Sequence, residues 1–162
     1  MRNFLTPEQI RPLKHLQFES DQLHSYIVRA CAKKEIHLAL ERKQKWLSSY
    51  FSSELLNGYT HPNLEINWIG EKIGYGVFAK APIAKGKLIG EYLGIVRQRR
   101  WWMKQTDDSY AFQYPTASWR SIYIDAERDG NITRFINHGS KPNLETMALL
   151  AGGMLHIALI SI

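Results

Sequence analysis

The sequence predicts an α+β protein: a helical N-terminal region over residues 1–60, then a mostly β region of short curved sheets over residues 61–162. Three observations predict this. Residues 20 to 56 contain no Pro or Gly and are rich in Leu, Ala, Lys, Glu and Gln, the side chains that lose little on entering a helix. From His61 onward, short runs of aromatic and β-branched residues alternate with turn-forming stretches. An apolar fraction of 44% with 12% aromatic residues supplies enough side chains for a packed core.

Taken in order, Pro7 suits the first position of a short helix after Thr6. Ser20 or Asp21 can cap the next helix. Leu23, Tyr26, Ile27, Ala30 and Cys31 recur at helical spacing, and Ile36, Leu40, Lys43, Leu47 and Tyr50 continue the stripe, which predicts one long helix or two shorter ones. Asn57-Gly58 is a C-terminal stop. The runs "LEINWI", "GVFAK", "KLIGEYLGIV", "YAFQY", "SIYIDA" and "MLHIALISI" read as strands. The stretches "GYG", "PIAKGK", "ERDGN", "GSKPN" and "AGG" between them read as turns.

The chain of 162 residues is long enough for one domain with a core of its own. Its single cysteine, Cys31, excludes an intrachain disulfide framework and a thiolate zinc cluster, and it suits a reducing compartment. No apolar run is long enough for a membrane-spanning helix, and the N-terminus lacks the apolar centre of a secretory signal. The formal net charge is +6, concentrated in "RACAKKEIHLALERKQK" and in "RQRR", which ends at Arg100. Such clusters are solvated faces or contacts for an anionic partner such as nucleic acid. No G-x-S-x-G or H-E-x-x-H occurs, and Cys31 falls inside the helical pattern. Hydrolase, metalloprotease and cysteine-nucleophile chemistry are therefore poorly supported.

Two segments stand apart. "GYGVFA" puts Gly74 and Gly76 around Tyr75 at the start of a strand, where glycines let a ligand come close to the backbone; an ordinary β-turn has the same composition. "NITRFINHGSKPN" brings Asn137-His138 out of an apolar run and stops it with Gly139 and Pro142, as in a loop that presents polar groups. In order, "GYGVFA", "GKLIGEYLG", "DDSYAF" and "IDAERDGNITRFINHGSKPN" resemble the blocks of the SET-domain protein-lysine methyltransferases: a G-x-G before a "VFA"-like strand, a G-x-x-I-x-E-Y-x-G block, a Y-x-F segment, and a G-N-x-x-R-F-I-N-H-S-C-x-P-N block. The helical lead-in gives a narrower likeness to the small SET proteins of chlamydia-type intracellular bacteria.

The resemblance implies the SET (β-clip) fold and S-adenosyl-L-methionine (SAM) as methyl donor. Gly74, Tyr75 and Gly76 would cradle the donor's methionine end. Arg134, Phe135, Asn137 and His138 would grip its amino group and adenine. Tyr92 would line the channel for the target lysine, and Tyr110 would sit where donor and channel meet, binding the donor and acting with Tyr92 in catalysis. The chemistry suits these residue types. Methyl transfer from a sulfonium is an in-line displacement, so alignment is the main requirement. The lysine must arrive as a neutral amine, which an apolar channel beside a positive sulfonium favours. No metal is expected.

The family's N-H-S-C reads "NHGS" here. Its last block, which ends in a D-Y pair with a catalytic tyrosine, does not appear before Ile162, so the expectation is a SET domain truncated before its last motif and impaired in activity. An apolar end such as "IALISI" would also leave an exposed strand edge. The family implies a basic protein substrate, a histone or histone-like protein, approached through acids among Glu91, Asp107, Asp108, Glu127 and Asp129, with nucleic acid contacted by the basic helix and no membrane partner. The alternative is a non-catalytic SET-like module that binds chromatin or nucleic acid through its basic faces. The expected location is the cytoplasm of the producing cell, or a host-cell nucleus after delivery as a bacterial effector.

Overall fold

The computed structural model describes residues 4–99, 108–115 and 121–162. Arg100 and Asp107 lie outside the described residues, as does the side chain of Asp108. The elements run β1 (Arg11–Pro12), β2 (Gln17–Phe18), α1 (Asp21–Cys31), α2 (Lys34–Ala39), α3 (Arg42–Tyr50), α4 (Ser52–Leu56), β3 (Leu64–Gly70), β4 (Gly74–Ala79), β5 (Leu88–Glu91), β6 (Ile95–Gln98), β7 (Ala111–Gln113), β8 (Ile122–Asp125), β9 (Asp129–Gly130), β10 (Leu144–Ala151) and β11 (Met154–Ser161). Short 3-10 turns cover Pro7–Gln9, Asp108–Tyr110 and Ile132–Phe135.

The strands form small separate sheets, ordered β10-β11-β5, β2-β6-β8-β7, β3-β4 and β1-β9. The N-terminal region is woven into this β structure, because β1 pairs with β9 and β2 with β6, both parallel. Ser20 caps α1, its Oγ accepting from the Leu23 N–H at 3.2 Å. The buried face of α1, Leu23, Ile27 and Cys31, shares one core with Leu93, Val96, Ile122, Ile124 and Leu155. Leu47 of α3, Leu55 of α4 and Phe51 between them join a second core with Leu88, Leu149, Ala158 and Ile160. Each such aliphatic side chain contributes about 1.5–3 kcal/mol on full burial.

Several expectations change. The helical stretch is four short helices rather than one or two. Its three breaks fall at Lys33 and Leu40, which both adopt extended backbone, and at Phe51. The expected stripe holds for Ile36 and Leu47 but not for Lys43 and Tyr50, which are exposed. Pro7 starts a 3-10 turn, not an α-helix. "KLIGEYLGIV" is split between β5 and β6. Strand β10 was not expected; its Leu, Ala, Met and Glu are helix formers, but its hairpin with β11 pairs all eight of its residues, from Leu144↔Ser161 to Ala151↔Met154. The expected exposed edge at "IALISI" is also corrected. β11 lies between β10 and β5, and all but its first residue are buried. Among the described residues, no helix is long and apolar enough to cross a membrane.

Candidate functional site

The glycine turn and the Asn-His segment meet. β4 opens at Gly74, whose φ of 84° lies in the region that glycine adopts without strain. Gly76 is closely approached: a Cβ there would lie 2.3 Å from Ile69 Cδ1 and 3.0 Å from Asn137 Nδ2. Asn137 Nδ2 donates to the Tyr75 carbonyl at 3.0 Å, tying β4 to the segment that follows the Ile132–Phe135 turn. Tyr75 packs edge-to-face on Phe135, with centroids 6.1 Å apart. The Ile132–Phe135 turn is itself anchored. Asn131 caps it by accepting from Thr133 N–H, while Asn131 Nδ2 and Thr133 Oγ1 both donate to the Glu91 carbonyl, at 2.9 and 3.1 Å.

Arg134 is 4% exposed. Its Nε donates to the Ala126 carbonyl at 2.6 Å and its Nη2 to the Glu127 carbonyl at 2.9 Å. The guanidinium carbon lies 4.1 Å from the Tyr110 ring centroid and 4.5 Å from that of Phe135, in cation–π range. Its Nη1 is buried with no hydrogen-bond partner. A buried charged donor left unsatisfied is costly, and a bound acceptor would remove that cost.

On the other side of Arg134 opens a cleft of about 400 Å³, lined by Tyr92, Tyr110, Phe112, Asn137, His138 and Leu159 among others. Tyr92 Oη donates to the Tyr110 carbonyl at 2.8 Å, and the Tyr92 ring tilts against Phe112 with centroids 5.4 Å apart. Burial pushes the Tyr92 phenol above its ordinary range, with the nearby Arg134 charge opposing that. At neutral pH Tyr92 is therefore a neutral hydroxyl, not a phenolate base.

The structure thus brings all the expected site residues into one neighbourhood with two mouths. Tyr75, Tyr110, Arg134, Phe135 and Asn137 line a narrow crevice, and Tyr92, Tyr110, Arg134, Asn137 and His138 line the wider cleft. Tyr110, Arg134 and Asn137 belong to both. Two residues beside them were not expected: Phe112, which the "YAF" spacing could have suggested, and Phe4, for which the sequence carries no signal. Of the expected acidic rim, Asp107 and the Asp108 side chain lie outside the described residues, and two of the three described acids are engaged elsewhere. Glu91 is buried against His156, with Oε1 to Nδ1 at 2.8 Å, and Asp129 is paired with Arg11. Glu127 remains exposed.

Residues 74–162, more than half of the chain, match the SET domain family, and the chain belongs to it. It is 35% identical over 101 residues to a variant-silencing SET domain-containing protein of Plasmodium falciparum, covering 57% of this chain and 4% of that protein. It is 35% identical over 99 residues to histone-lysine N-methyltransferase Set2 of Drosophila melanogaster, covering 57% of this chain and 4% of that one. With histone-lysine N-methyltransferase mes-4 of Caenorhabditis elegans it shares 38% over 76 residues, 43% of this chain and 8% of that one. The chain therefore spans only a small part of these relatives. Among solved structures, Arabidopsis thaliana SUVH6 in complex with SAM superposes with a TM-score of 0.51 at 26% identity, covering 63% of this chain and 24% of that one. KRYPTONITE in complex with mCHH DNA, an H3 peptide and SAH does so with a TM-score of 0.51 at 28% identity, covering 63% and 21%.

Proposed function

We propose that this chain transfers a methyl group from SAM to the ε-amine of protein lysines, with histones or histone-like basic proteins as substrates. The observation that carries this reading is the bond from Asn137 Nδ2 to the Tyr75 carbonyl, which makes one site of the glycine turn and the Arg134–His138 segment. The residues fit the donor. Gly76, lacking a Cβ, lets the Asn137 amide come close to the β4 backbone, Arg134 holds one unsatisfied buried N–H, and the Tyr75, Tyr110 and Phe135 rings supply apolar faces. Gly74, Tyr75, Gly76, Tyr110, Arg134, Phe135, Asn137 and His138 would hold it; when bound, it supplies an activated sulfonium methyl.

The chain's own residues then have to orient and desolvate the acceptor. Tyr92 and Phe112 give the cleft an aromatic wall that packs the lysine stem and disfavours the charged ammonium. The Tyr92 and Tyr110 hydroxyls can steer weak C–H···O contacts to the methyl group. Loss of the amine proton to solvent before transfer needs no protein base, which agrees with a Tyr92 hydroxyl that stays protonated. Incubation with a basic protein and methyl-labelled SAM, read by mass spectrometry, tests this. Label on lysine is expected, with Tyr92→Phe lowering the rate at least ten-fold; unlabelled lysines at saturating donor would contradict it.

The finer expectations remain part of this reading. Residues 1–60 serve as a helical lead-in to a SET portion over 61–162. The likeness to small chlamydia-type SET proteins, and the location it implies, rests on that lead-in; the curated relatives named above are eukaryotic.

One observation favours the second reading, a module binding nucleic acid. On α3, Trp46 and Tyr50 are 61% and 57% exposed and stacked with centroids 4.9 Å apart, one turn from Arg42 and beside Lys45. Exposed aromatic rings among cations suit stacked bases and phosphates. Oligonucleotide binding that weakens with salt and is lost in Trp46→Ala, in a chain that transfers no methyl groups, would favour this reading over the first.

A further inference from the structure

The crevice between the glycine turn and Arg134 is closed by the chain's own N-terminal segment. Phe4 rests on Gly74, where a Cβ would come 2.6 Å from the Phe4 ring. The Phe4 ring meets Trp68 edge-to-face, with centroids 6.2 Å apart, and Trp68 meets Tyr75 at 5.0 Å. An unbroken aromatic run therefore leads from the N-terminal segment to the Tyr75–Phe135 pair. Phe4 and Leu5 line the crevice together with Tyr75, Tyr110, Arg134 and Asn137, and the space left is about 20 Å³. That is room for roughly one water, whereas small-molecule sites measure about 300–1,000 Å³. A donor using the Gly74–Gly76 backbone and the Phe4 ring cannot occupy that face at once.

The chain behind this segment is anchored. Immediately after Leu5, Thr6 N–H is held by Gln9 Oε1 at 2.8 Å, and Pro7 opens the 3-10 turn. Ile10 is buried, and β1 is paired with β9. Displacing Phe4 and Leu5 alone therefore frees Gly74, and the tether keeps Phe4 at high local concentration when displaced.

We propose that Phe4–Leu5 are an internal competitor for the methyl donor: the segment fills the donor crevice in the free protein and leaves it when the donor binds. This rests on the donor site described above. A flap closed nine-tenths of the time lowers apparent donor affinity about ten-fold.

Calorimetric titration of SAH into the full chain and into Phe4→Ala tests the competition. The variant is expected to bind about ten-fold more tightly. Equal affinity would overturn the flap and leave the donor site standing. Weaker binding by the variant would overturn it too, making Phe4 a wall of the site. No binding to either chain would remove the donor site and the flap together. A second readout needs no variant: chymotrypsin, which cuts after Phe and Leu, should release the first residues faster when SAH is present. Unchanged or slower cleavage in the presence of bound SAH would count against the flap.

Discussion

His156 and Glu91 form a buried pair, with His156 Nδ1 on Glu91 Oε1 at 2.8 Å and Nε2 on the Ala151 carbonyl at 3.1 Å. Since a carboxylate and a carbonyl can only accept, both ring nitrogens must donate, which is the protonated imidazolium. Burial pulls the His156 pKa down, but the hydrogen bond and charge of Glu91 and the Ala151 carbonyl raise it above 6.5 on balance. A folded-state pKa above the unfolded one means the contribution to stability is complete below about pH 6.5 and fades as pH rises through the folded value. Melting temperature is expected to fall as pH is raised from 6 past the folded-state pKa, and the fall should be smaller in His156→Gln. Equal pH slopes in the two chains would dismiss the imidazolium. Glu91→Gln leaves a buried cation without its counter-charge and should cost about 3–5 kcal/mol, read by denaturant unfolding. At this scale much of the candidate site was legible: Asn137, His138, Arg134 and the tyrosines stand in a recognisable order. Glu91 was misread as a surface acid, because nothing local indicates that a histidine 65 positions later will be packed against it. Phe4 was illegible for the same reason.

Between elements, Gly94 is a tight joint, where the chain leaves the "EYLG" block for β6. A Cβ there would lie 2.3 Å from the Asp125 carbonyl oxygen. That atom is backbone, held in the β6–β8 ladder by the Ile95↔Asp125 register, and it cannot swing aside. Gly94→Ala is expected to destabilise by at least about 1–3 kcal/mol, a fall of roughly 2–12 °C in melting temperature for a chain of this size. An unchanged melting temperature would show the joint to be loose. Gly76→Ala makes the contrasting case, since its nearest obstacle is the end of the flexible, exposed Ile69 side chain. It should leave the fold nearly unchanged while weakening SAH binding, through displacement of Asn137; binding at full strength would detach Gly76 from the site. Most strands were readable as apolar runs between turns. β10 was not, because its residues prefer helix and only its register with β11 makes it a strand. The helix breaks near Leu40 and Phe51 were equally invisible, since no Pro or Gly marks them.

Across the whole molecule, the N-terminal helices and the SET portion share cores: Ile27 and Cys31 pack with Val96 and Ile124, and Leu47 and Phe51 with Leu149 and Ile160. The fold class followed from the two textures of the sequence, but this interleaving did not, because pairings such as Arg11↔Asp129 join residues over a hundred positions apart. The same long-range closure brings Tyr75 and Gly76 against Asn137 and so joins the two segments proposed to hold the donor, each unremarkable alone. Amide chemical-shift mapping with SAH tests that site most directly. The expected result is a set of shifts centred on Gly74–Gly76 and Arg134–His138, with Phe4 and Leu5 perturbed beside them. Shifts confined to α2 and α3, or none at saturating SAH, would contradict it.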